Sequence, residues 1–567
     1  MTHLQQRWLP RCFGTFLFAV LLTATECLAD AELPHLERKA DCTQLVVDGK
    51  PFLLLAGELH NSSASTLEYV RPLLQRLAAM NFNTVLAPIS WEQFEPEEGK
   101  YDFTLIDGLI RESEKNDLKL VVLWFATWKN GQSTYAPMWV KRDTKRFLRV
   151  RDRNGKQLET LSPFCDATQS ADARAFAALM RRIGAMDHNH TVIMAQPENE
   201  PGIFLDMDYS SNAMAALSSE APESLVRYLS ENQDTLRPSL GMAWESQGRP
   251  TKGTWTDLFG DGPDSREFLV AWRIATFIEE VASSGQREHP IPMFVNAWLV
   301  QSPEELPGSY PNGGPVARVM DIYKAAAPSL FTLAPDIYLP QFKQICARYA
   351  RRDNPLLIPE STVDPGRAFY ALAEHSAIGY SPFAAEERAK GEVAFQHAYA
   401  VLEELHEEIV AHQGEGSMRG FLREVDERHD RVHLGRYQID VFYESQSEPC
   451  YGMVIQQSEN EFLVSGVNLR IEFRSNDPSV IGYIGQVREV KREDDRWKTV
   501  RVLNGDETFH HGSLRVFGRE VRLSSGIGDT PLGPQPTAEN THDNQSTIAK
   551  AEKTPGVYRV TTYQRAE

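Results

Sequence analysis

The sequence predicts an α/β protein, a (β/α)8 TIM barrel followed by a small antiparallel β-domain. Short apolar runs, typical of strands buried on both faces, alternate with helical patterns over most of the first 413 residues. Two of these runs end in carboxylates, the position at which barrels carry catalytic residues. After Gly414 the pattern changes to short strands separated by polar turns, which favours a separate antiparallel unit.

Eight strand–helix units can be followed in order along the barrel region. The first helix is expected at about 66–80, opened by a capping box from Ser65 to Glu68, with Pro72 as a local conflict. Later helices are predicted at 172–186, 265–283, 316–326 and 386–413. The eight predicted strands are 52–57, 83–88, 118–125, 191–195, 291–298, 330–338, 354–360 and 377–382.

The domain boundaries follow from changes in composition. Residues 30–413 form the predicted barrel, interrupted by a polar, Ser-rich and then Gly/Pro-rich insertion at about 203–263 on the catalytic face. Residues 414–567 form the β-domain, with a clean alternation at 467–473 and a long Gly-, Pro-, Thr- and Asn-rich loop at 524–555. The single Trp497 of this domain is weak support for a sugar platform, so packing against the barrel is preferred.

Residues 1–29 predict a signal peptide. Arg7 and Arg11 precede an apolar stretch at 12–24, and Cys27-Leu-Ala29 resembles a cleavage site. A lipid anchor on Cys27 is disfavoured by the preceding Thr25-Glu26. We therefore expect a periplasmic or secreted protein with no transmembrane segment in the mature chain.

The composition limits the classes of partner that the protein is expected to bind. The formal net charge of −19 argues against nucleic-acid binding, which needs clustered Lys and Arg. The four cysteines outside the leader have no zinc-site spacing, and buried free thiols are favoured over three possible disulfide pairings. They are Cys42, Cys165, Cys346 and Cys450.

The carboxylates at two strand ends predict glycosidic-bond hydrolysis. Glu198 and Glu200 follow one strand, in Gln196-Pro-Glu-Asn-Glu-Pro-Gly202, and Glu360 follows another, in Ile358-Pro-Glu360. Such hydrolysis needs one protonated carboxyl for the leaving oxygen and one ionised carboxylate at the anomeric carbon. We expect Glu200 and Glu360 to be the catalytic pair. Glu198 is an alternative acid, but sugar binding is preferred for it.

Other strand-end residues are candidates for sugar binding. Asn199 could bond a hydroxyl without adding charge, and aromatic rings match the apolar faces of sugars. Trp128 is the preferred platform because polar residues follow it, whereas Trp124 is expected in the core. The full set of predicted substrate-binding residues is Glu58, His60, Trp128, Lys129, Asn130, Glu198, Asn199, Trp298 and Tyr338. A structural pairing of Glu58 with His60 remains an alternative.

No cofactor or metal is predicted. His188-Asn-His190 precedes a strand, on the barrel face opposite the carboxylates, and favours a structural turn. The chain contains no Gly-x-Gly-x-x-Gly, P-loop or Gly-x-Ser-x-Gly motif. The partner expected is an oligosaccharide, and the oligomeric state is left open.

Several motifs together resemble glycoside hydrolase family 35 β-galactosidases over about residues 45–410. They are Ala56-Gly-Glu-Leu-His60, Asn83-Thr-Val, the stretch from Trp91 to Phe103, Gln196-x-Glu-Asn-Glu200 and Ile358-Pro-Glu360. The third strand departs from the family pattern: Trp124-Phe-Ala-Thr-Trp-Lys-Asn-Gly131 is more similar to family 42. That segment normally touches the terminal galactose, so the departure leaves the sugar specificity open.

The resemblance implies a retaining mechanism in which Glu200 is the proton donor and Glu360 the nucleophile. Tyr451-Gly-Met-Val-Ile-Gln456 and Leu503-Asn-Gly-Asp-Glu-Thr508 most resemble a bacterial branch associated with trimming galactose from xyloglucan side chains. The expected function is an exported exo-β-galactosidase acting on plant-wall oligosaccharides. Another retaining glycosidase, such as an arabinosidase or β-glucosidase, and a non-catalytic carbohydrate-binding protein remain alternatives.

Overall fold

The computed structural model describes residues 32–503, 505–510, 512–516, 518–521 and 552–566. The predicted signal peptide at 1–29 lies outside the described residues. So does most of the predicted loop at 524–555, of which only 552–555 are described, and these contribute a short strand.

The strands are β1 His35–Lys39, β2 Cys42–Val47, β3 Lys50–Phe52, β4 Leu54–Glu58, β5 Thr84–Ser90, β6 Lys119–Lys129, β7 Arg149–Arg151, β8 Gln157–Leu161, β9 Val192–Asn199, β10 Met293–Trp298, β11 Leu330–Asp336, β12 Leu357–Ile358, β13 Gly379–Tyr380, β14 Met418–Leu422, β15 His429–Leu434, β16 Tyr437–Tyr443, β17 Tyr451–Ser458, β18 Glu461–Val467, β19 Leu469–Ser475, β20 Val480–Glu493, β21 Arg496–Leu503, β22 Leu514–Val516, β23 Arg519–Val521, β24 Glu552–Thr554 and β25 Gly556–Ala566.

The helices are α1 Leu67–Ala79, α2 Trp91–Phe94, α3 Thr104–Lys115, α4 Met138–Arg142, α5 Asp166–Met186, α6 Ser211–Leu217, α7 Glu223–Glu231, α8 Pro238–Ser246, α9 Trp255–Phe259, α10 Pro263–Glu288, α11 Met320–Ala326, α12 Phe342–Tyr349, α13 Pro365–Glu374, α14 Ala385–Arg388, α15 Val393–Glu404 and α16 His406–His412.

Eight parallel strands form the barrel, which confirms the predicted fold class. Their order is β11-β10-β9-β6-β5-β4-β13-β12. The two end strands meet where the Ile337 N–H donates to the Glu360 carbonyl at 2.9 Å and Ile337 bridges Ser361 in parallel. This contact draws the residues that follow β11 and β12 together at the carboxyl ends of the strands, where the candidate site lies.

A three-stranded antiparallel sheet, β1-β2-β3, closes the amino-terminal end of the barrel. Leu45 and Val47 on β2 pack into the same buried cluster as the inward side chains of the barrel strands. The sequence analysis missed this hairpin, although Asp48-Gly49 at its tip, both with positive φ, is a strong hairpin signal. His190 Nδ1 lies 3.0 Å from Asp48 Oδ1, so this histidine has a structural contact on the face opposite the catalytic carboxylates.

Several helices differ from their predicted limits. The cap of α1 is Thr66, whose hydroxyl accepts from the Tyr69 N–H, and Pro72 lies within the helix, so the predicted Ser65 capping box is wrong. The predicted insertion at 203–263 contains four short helices, α6 to α9. The single helix predicted at 386–413 is three helices, α14 to α16.

The carboxy-terminal region contains a six-stranded sheet, β14-β17-β18-β25-β20-β21, and a four-stranded sheet, β15-β16-β19-β22. The predicted alternation at 467–473 spans a break between β18 and β19, because Asn468 adopts φ +55°. This region packs on the barrel through α13, where the Phe369 and Tyr451 rings lie 5.2 Å apart. Trp497 Nε1 donates to Glu408 Oε1 at 2.9 Å, which favours packing over sugar binding for this ring.

Among the described residues, Cys42, Cys165, Cys346 and Cys450 are free thiols. Within the described part of the chain, no helix combines the length and apolar character needed to cross a bilayer.

Candidate active site

Glu200 and Glu360 come together at the carboxyl ends of the barrel strands. Glu200 directly follows β9, and Glu360 lies two residues after β12. Both side chains are buried, and one oxygen of each lies within 4.8 Å of the other and of an oxygen of Asp336. The pair predicted from two separate strand ends is therefore a single carboxyl cluster.

Glu200 is held by its backbone. It adopts φ +43°, a sparsely populated conformation for a non-glycine residue, and its N–H donates to Asn296 Oδ1 at 2.8 Å. Burial, and then the neighbouring Glu360 carboxylate, raise the pKa of Glu200 to about 7. A carboxyl with that pKa can hold a proton near neutral pH and release it during a reaction.

Asp336, the last residue of β11, completes the cluster and was missed by the sequence analysis. Its Oδ2 accepts from Asn296 Nδ2 at 2.8 Å. Burial, followed by the charges of Glu360 and Glu200, raises its pKa well above the usual range. Ala334-Pro-Asp336 ends an apolar run, the same signal that identified Glu200 and Glu360, so the sequence contained the information needed.

Glu360 accepts a hydrogen bond from the Tyr338 hydroxyl at 2.6 Å. Tyr338 is 41% exposed, so its ring borders the opening while its hydroxyl reaches the carboxylate. The buried Glu58 carboxyl, at the end of β4, meets Glu360 from the other side. Burial, and then the Glu360 charge, raise the pKa of Glu58 well above its usual range. The structure thus places the predicted residues Glu58 and Tyr338 against the Glu360 carboxylate.

The end of β6 supplies the positive charge of the site. Lys129 Nζ is buried and donates to Asn199 Oδ1 at 2.9 Å. The Asn130 N–H donates to the Asn199 carbonyl, and the Gly131 N–H to the Glu200 carbonyl. Asn199 Nδ2 is buried, and no group among the described residues accepts a hydrogen bond from it. It can therefore donate to a sugar hydroxyl. All three predicted residues, Lys129, Asn130 and Asn199, lie at the site.

The cluster of Glu200, Asp336 and Glu360 is also the one group among the described residues whose spacing would suit a metal ion. The Lys129 ammonium already lowers the pKa of Glu200 and Glu58 by its charge, in opposition to burial. Buried carboxyls this close share protons because two adjacent charges are disfavoured. We therefore interpret the cluster as an acid–base group.

Comparison with known proteins identifies the barrel. A family model described as Glycosyl hydrolases family 35 matches residues 44–245. The chain therefore resembles this family over about a third of its length. A second model, a domain of unknown function (DUF5597), matches residues 395–515, which cover the end of the barrel and much of the carboxy-terminal sheets.

Curated relatives match only part of the chain. The Beta-galactosidase of Xanthomonas manihotis is 29% identical over 171 residues, 29% of this chain and 26% of that protein. Beta-galactosidase-1-like protein 3 of Homo sapiens is 28% identical over 173 residues, 28% of this chain and 23% of that protein. The matches thus span about a quarter of these relatives. Among solved structures, the beta-galactosidase of Bacillus circulans sp. alkalophilus is 16% identical, with a TM-score of 0.43, covering 63% of this chain and 57% of that chain.

The predicted sugar-binding residue Glu198 is fully buried, and its carboxyl is bonded within the fold. Its Oε1 and Oε2 accept from the Thr127 and Trp128 N–H groups at 3.2 and 2.6 Å. The β6–β9 pairing skips from Trp124 to Lys129 at this point, so the Glu198 carboxyl replaces the missing strand partners. Strict alternation would place Glu198 and Glu200 on one face, but both have positive φ, and this turns Glu198 behind the strand.

Trp128 is not the exposed platform that the sequence analysis predicted. The ring is fully buried and lies 4.7 Å from the Phe277 ring of α10. The polar residues after it do not expose it, because Lys129 and Asn130 are bonded to Asn199. Trp124 is buried, and its Nε1 donates to Asp172, which confirms its assignment to the core.

Trp298 and His60 remain at the rim. Trp298, the last residue of β10, is half-buried, and the Phe204 ring lies 6.0 Å from it in an edge-on arrangement. Phe204 was not predicted; it lies over Gly131, where a Cβ would come within 2.9 Å of its ring. His60 is exposed, its ring lies 5.7 Å from Phe383, and its N–H donates to Glu386. Among the described residues, Glu58 contacts Glu360, whereas His60 contacts Phe383 and Glu386.

Proposed function

We propose that this chain is a retaining exo-β-galactosidase that removes terminal, non-reducing β-D-galactose from oligosaccharides. The observation that carries the proposal is the pair Glu200 and Glu360, buried at the ends of two barrel strands with their nearest oxygens within 4.8 Å. Retaining glycosidases need carboxyl groups about 5–5.5 Å apart, whereas inverting enzymes need roughly 6.5–9.5 Å to admit a water. The match of residues 44–245 to the family 35 model and the names of the relatives support the choice of galactose.

The first chemical step breaks the glycosidic bond. The Glu360 carboxylate attacks the anomeric carbon and forms a glycosyl ester, while the Glu200 carboxyl gives its proton to the departing oxygen. The Tyr338 hydroxyl, 2.6 Å from Glu360 Oε1, holds the nucleophile in place. The raised pKa of Glu200, about 7, keeps its proton available near neutral pH.

The second step releases the sugar. Glu200, now ionised, takes a proton from water as the water oxygen bonds to the anomeric carbon and the ester to Glu360 breaks. Two inversions return the anomeric carbon to the β configuration, and both carboxyl groups regain their starting states.

The proposal is tested by azide rescue of hydrolysis. Wild type should hydrolyse nitrophenyl β-galactoside, and Glu200→Ala and Glu360→Ala should each lose roughly 10²-fold or more of kcat/KM. With azide, Glu200→Ala should form β-galactosyl azide and Glu360→Ala α-galactosyl azide. Identical anomers from both variants would contradict the assigned roles.

Sugar specificity is tested with a panel of nitrophenyl glycosides. The third strand carries Trp124 to Gly131 in place of the usual family 35 segment, so α-arabinoside and β-glucoside belong in the panel. A preference for galactoside supports the proposal. Turnover of another sugar would replace the substrate, and binding without turnover would favour a carbohydrate-binding protein.

We also propose that the protein is exported and that galactosylated xyloglucan fragments are its substrate. The support is the basic, then apolar segment at 1–29 and the likeness of 451–456 and 503–508 to a bacterial xyloglucan-associated branch. Amino-terminal sequencing should find a mature chain that begins near residue 30. Galactose release from xyloglucan oligosaccharides, compared with lactose, tests the substrate; equal or slower release from xyloglucan would contradict it.

A further inference from the structure

One side chain connects Asp336 to the acid/base residue. Asn296 donates from Nδ2 to Asp336 Oδ2 at 2.8 Å, and its Oδ1 accepts the Glu200 N–H at 2.8 Å. The three residues come from β10, β11 and the end of β9. The position of the Asp336 carboxyl relative to the Glu200 backbone is thus fixed through a single buried amide.

The other oxygen of Asp336 has no ordinary donor. Oδ1 is buried, and within the described part of the chain no N–H or hydroxyl group donates to it. Oxygens of Glu200 and Glu360 lie within 4.8 Å of an Asp336 carboxyl oxygen, and the Asp336 side chain is hydrogen-bonded to that of Glu200. A hydrogen bond between two carboxyls requires that one of them is protonated and donates to the other.

The surrounding charges indicate which carboxyl holds the proton. Asp336 interacts electrostatically with the acids Glu58, Glu200 and Glu360 and with the hydroxyls of Tyr338 and Tyr349. Glu200 has, in addition, the Lys129 ammonium, which favours its ionised form. Asp336 therefore has more acidic neighbours than Glu200. Of the two carboxyls, it is the one better suited to stay protonated and neutral.

We propose that Asp336 is a positioning residue of the hydrolytic reaction, a neutral carboxylic acid that donates a hydrogen bond to Glu200. This inference rests on the proposed function of Glu200 as acid/base. When Glu200 gives its proton to the leaving oxygen, the Asp336 hydrogen bond stabilises the new carboxylate, and no proton leaves Asp336. The same bond directs the ionised Glu200 for attack of water in the second step.

Two substitutions at one position test this role. Asp336→Leu replaces the carboxyl by a branched apolar group that cannot donate, and Asp336→Asn keeps a neutral donor for Glu200 and an acceptor for Asn296. We expect the leucine variant to lose roughly 10- to 100-fold of kcat/KM, the range of a hydrogen bond to a charged group, and its alkaline limb to move to higher pH. The asparagine variant should recover most of the loss and keep the wild-type pH profile.

The opposite state of Asp336 gives a different result. An ionised Asp336 would raise the pKa of Glu200 by repulsion, so Asp336→Asn would then move the alkaline limb to lower pH, and this would overturn the proposal. A leucine variant with wild-type rate and profile would also overturn it. Asp172→Asn is the matched control, because it alters a buried carboxyl that bonds Trp124 and Thr127 behind β9, and it should leave the alkaline limb in place.

Folding and the identity of the substrate are controlled separately. Thermal melting of each variant shows whether a loss of rate is a loss of fold, and the asparagine variant keeps the test open if leucine does not fold. A wild type without β-galactosidase activity would remove the proposed function alone. Infrared difference titration would then still report on Asp336: near neutral pH, wild type should show one protonated carboxyl that Asp336→Asn lacks, and equal spectra would overturn the proposal.

Discussion

Buried carboxyls lie on both sides of the end of β9, and the two groups differ in the hydrogen-bond donors around them. Behind the strand, Asp172 and Glu198 accept from the Thr127 and Trp128 N–H groups, the Thr127 hydroxyl and the Trp124 indole. In front, Asp336 Oδ1 and Glu360 Oε2 are buried without a donor among the described residues.

Burial raises the pKa of carboxyls in both regions, so a raised pKa alone does not mark the catalytic group. The rear pair, Asp172 and Glu198, forms its hydrogen bonds within the fold, where it connects β6, β9 and α5. The carboxyls in front of the strand keep oxygens that can still accept a hydrogen bond from a substrate or from a shared proton. Unused hydrogen-bonding capacity at a strand end distinguishes the site from the scaffold.

The most sensitive test of this comparison is a matched pair of isosteric substitutions, one near the end of β9 and one directly after it. Glu200→Gln should lower kcat/KM roughly 10²- to 10⁴-fold, the contribution of general acid–base catalysis, with little change in melting temperature. Glu198→Gln should act mainly on stability, by about 1–3 kcal/mol, because its amide N–H₂ would face a backbone donor. Kinetics and thermal melting of both variants check this. Equal kinetic losses with unchanged stability would mean that Glu198 also contacts the substrate.

Two tryptophans extend the comparison. Trp128→Ala should destabilise the fold by about 3–5 kcal/mol because the ring is fully buried against Phe277. Trp298→Ala should leave the free energy of unfolding within about 1 kcal/mol and raise KM for oligosaccharides, because this ring is half-buried at the rim. Urea denaturation and steady-state kinetics separate the two outcomes. A stable Trp128→Ala variant with a raised KM would restore Trp128 as a platform.

The rear pair predicts a pH dependence of stability. Burial raises the pKa of Asp172 and, with the Asp172 charge, that of Glu198 well above its usual range. The folded protein therefore binds more protons than the unfolded chain at pH values above about 4, and the free energy of unfolding falls as pH rises toward the folded pKa values. Asp172→Asn supplies a neutral donor to Glu198 and should flatten this slope by about 1.4 kcal/mol per pH unit for one proton. Denaturation at several pH values measures it, and parallel curves for wild type and variant would exclude a shared proton.

The smallest effect is expected at Tyr338. Tyr338→Phe removes the hydroxyl that donates to Glu360 and should lower kcat/KM about tenfold, the value of one hydrogen bond to a charged group. Stability should change little because the ring is 41% exposed. Kinetics on nitrophenyl β-galactoside test this, and an unchanged rate would show that the nucleophile is positioned without Tyr338.

The sequence predicted the barrel and the meeting of Glu200 and Glu360 because both depend on local patterns. Apolar runs marked the strands, and Glu200 and Glu360 followed them directly. The orientation of Glu198 could not be read from alternation, because it depends on positive φ at Glu198 and Glu200 and on a gap in the β6–β9 pairing. Burial of Trp128 depends on Phe277, 149 positions later in the sequence, a tertiary contact that no local pattern encodes.

Asp336 and the β1–β3 hairpin are different cases. Both had local signals, a carboxylate after an apolar strand and an Asp48-Gly49 turn, so they were available from the sequence. The break at Asn468 had a weaker signal, a single Asn within an alternating run. Asn adopts the left-handed conformation often enough that a break in the strand should be considered at such a position.

The most direct test of the account is to trap the glycosyl-enzyme. Incubation with a 2-deoxy-2-fluoro-β-galactosyl fluoride should form a slowly hydrolysed ester, which peptide mass spectrometry can locate. The account predicts one label, on Glu360, with Glu200, Asp336 and Glu58 unmodified. A label on any of those three residues, or no label in an enzyme that hydrolyses β-galactosides, would contradict it.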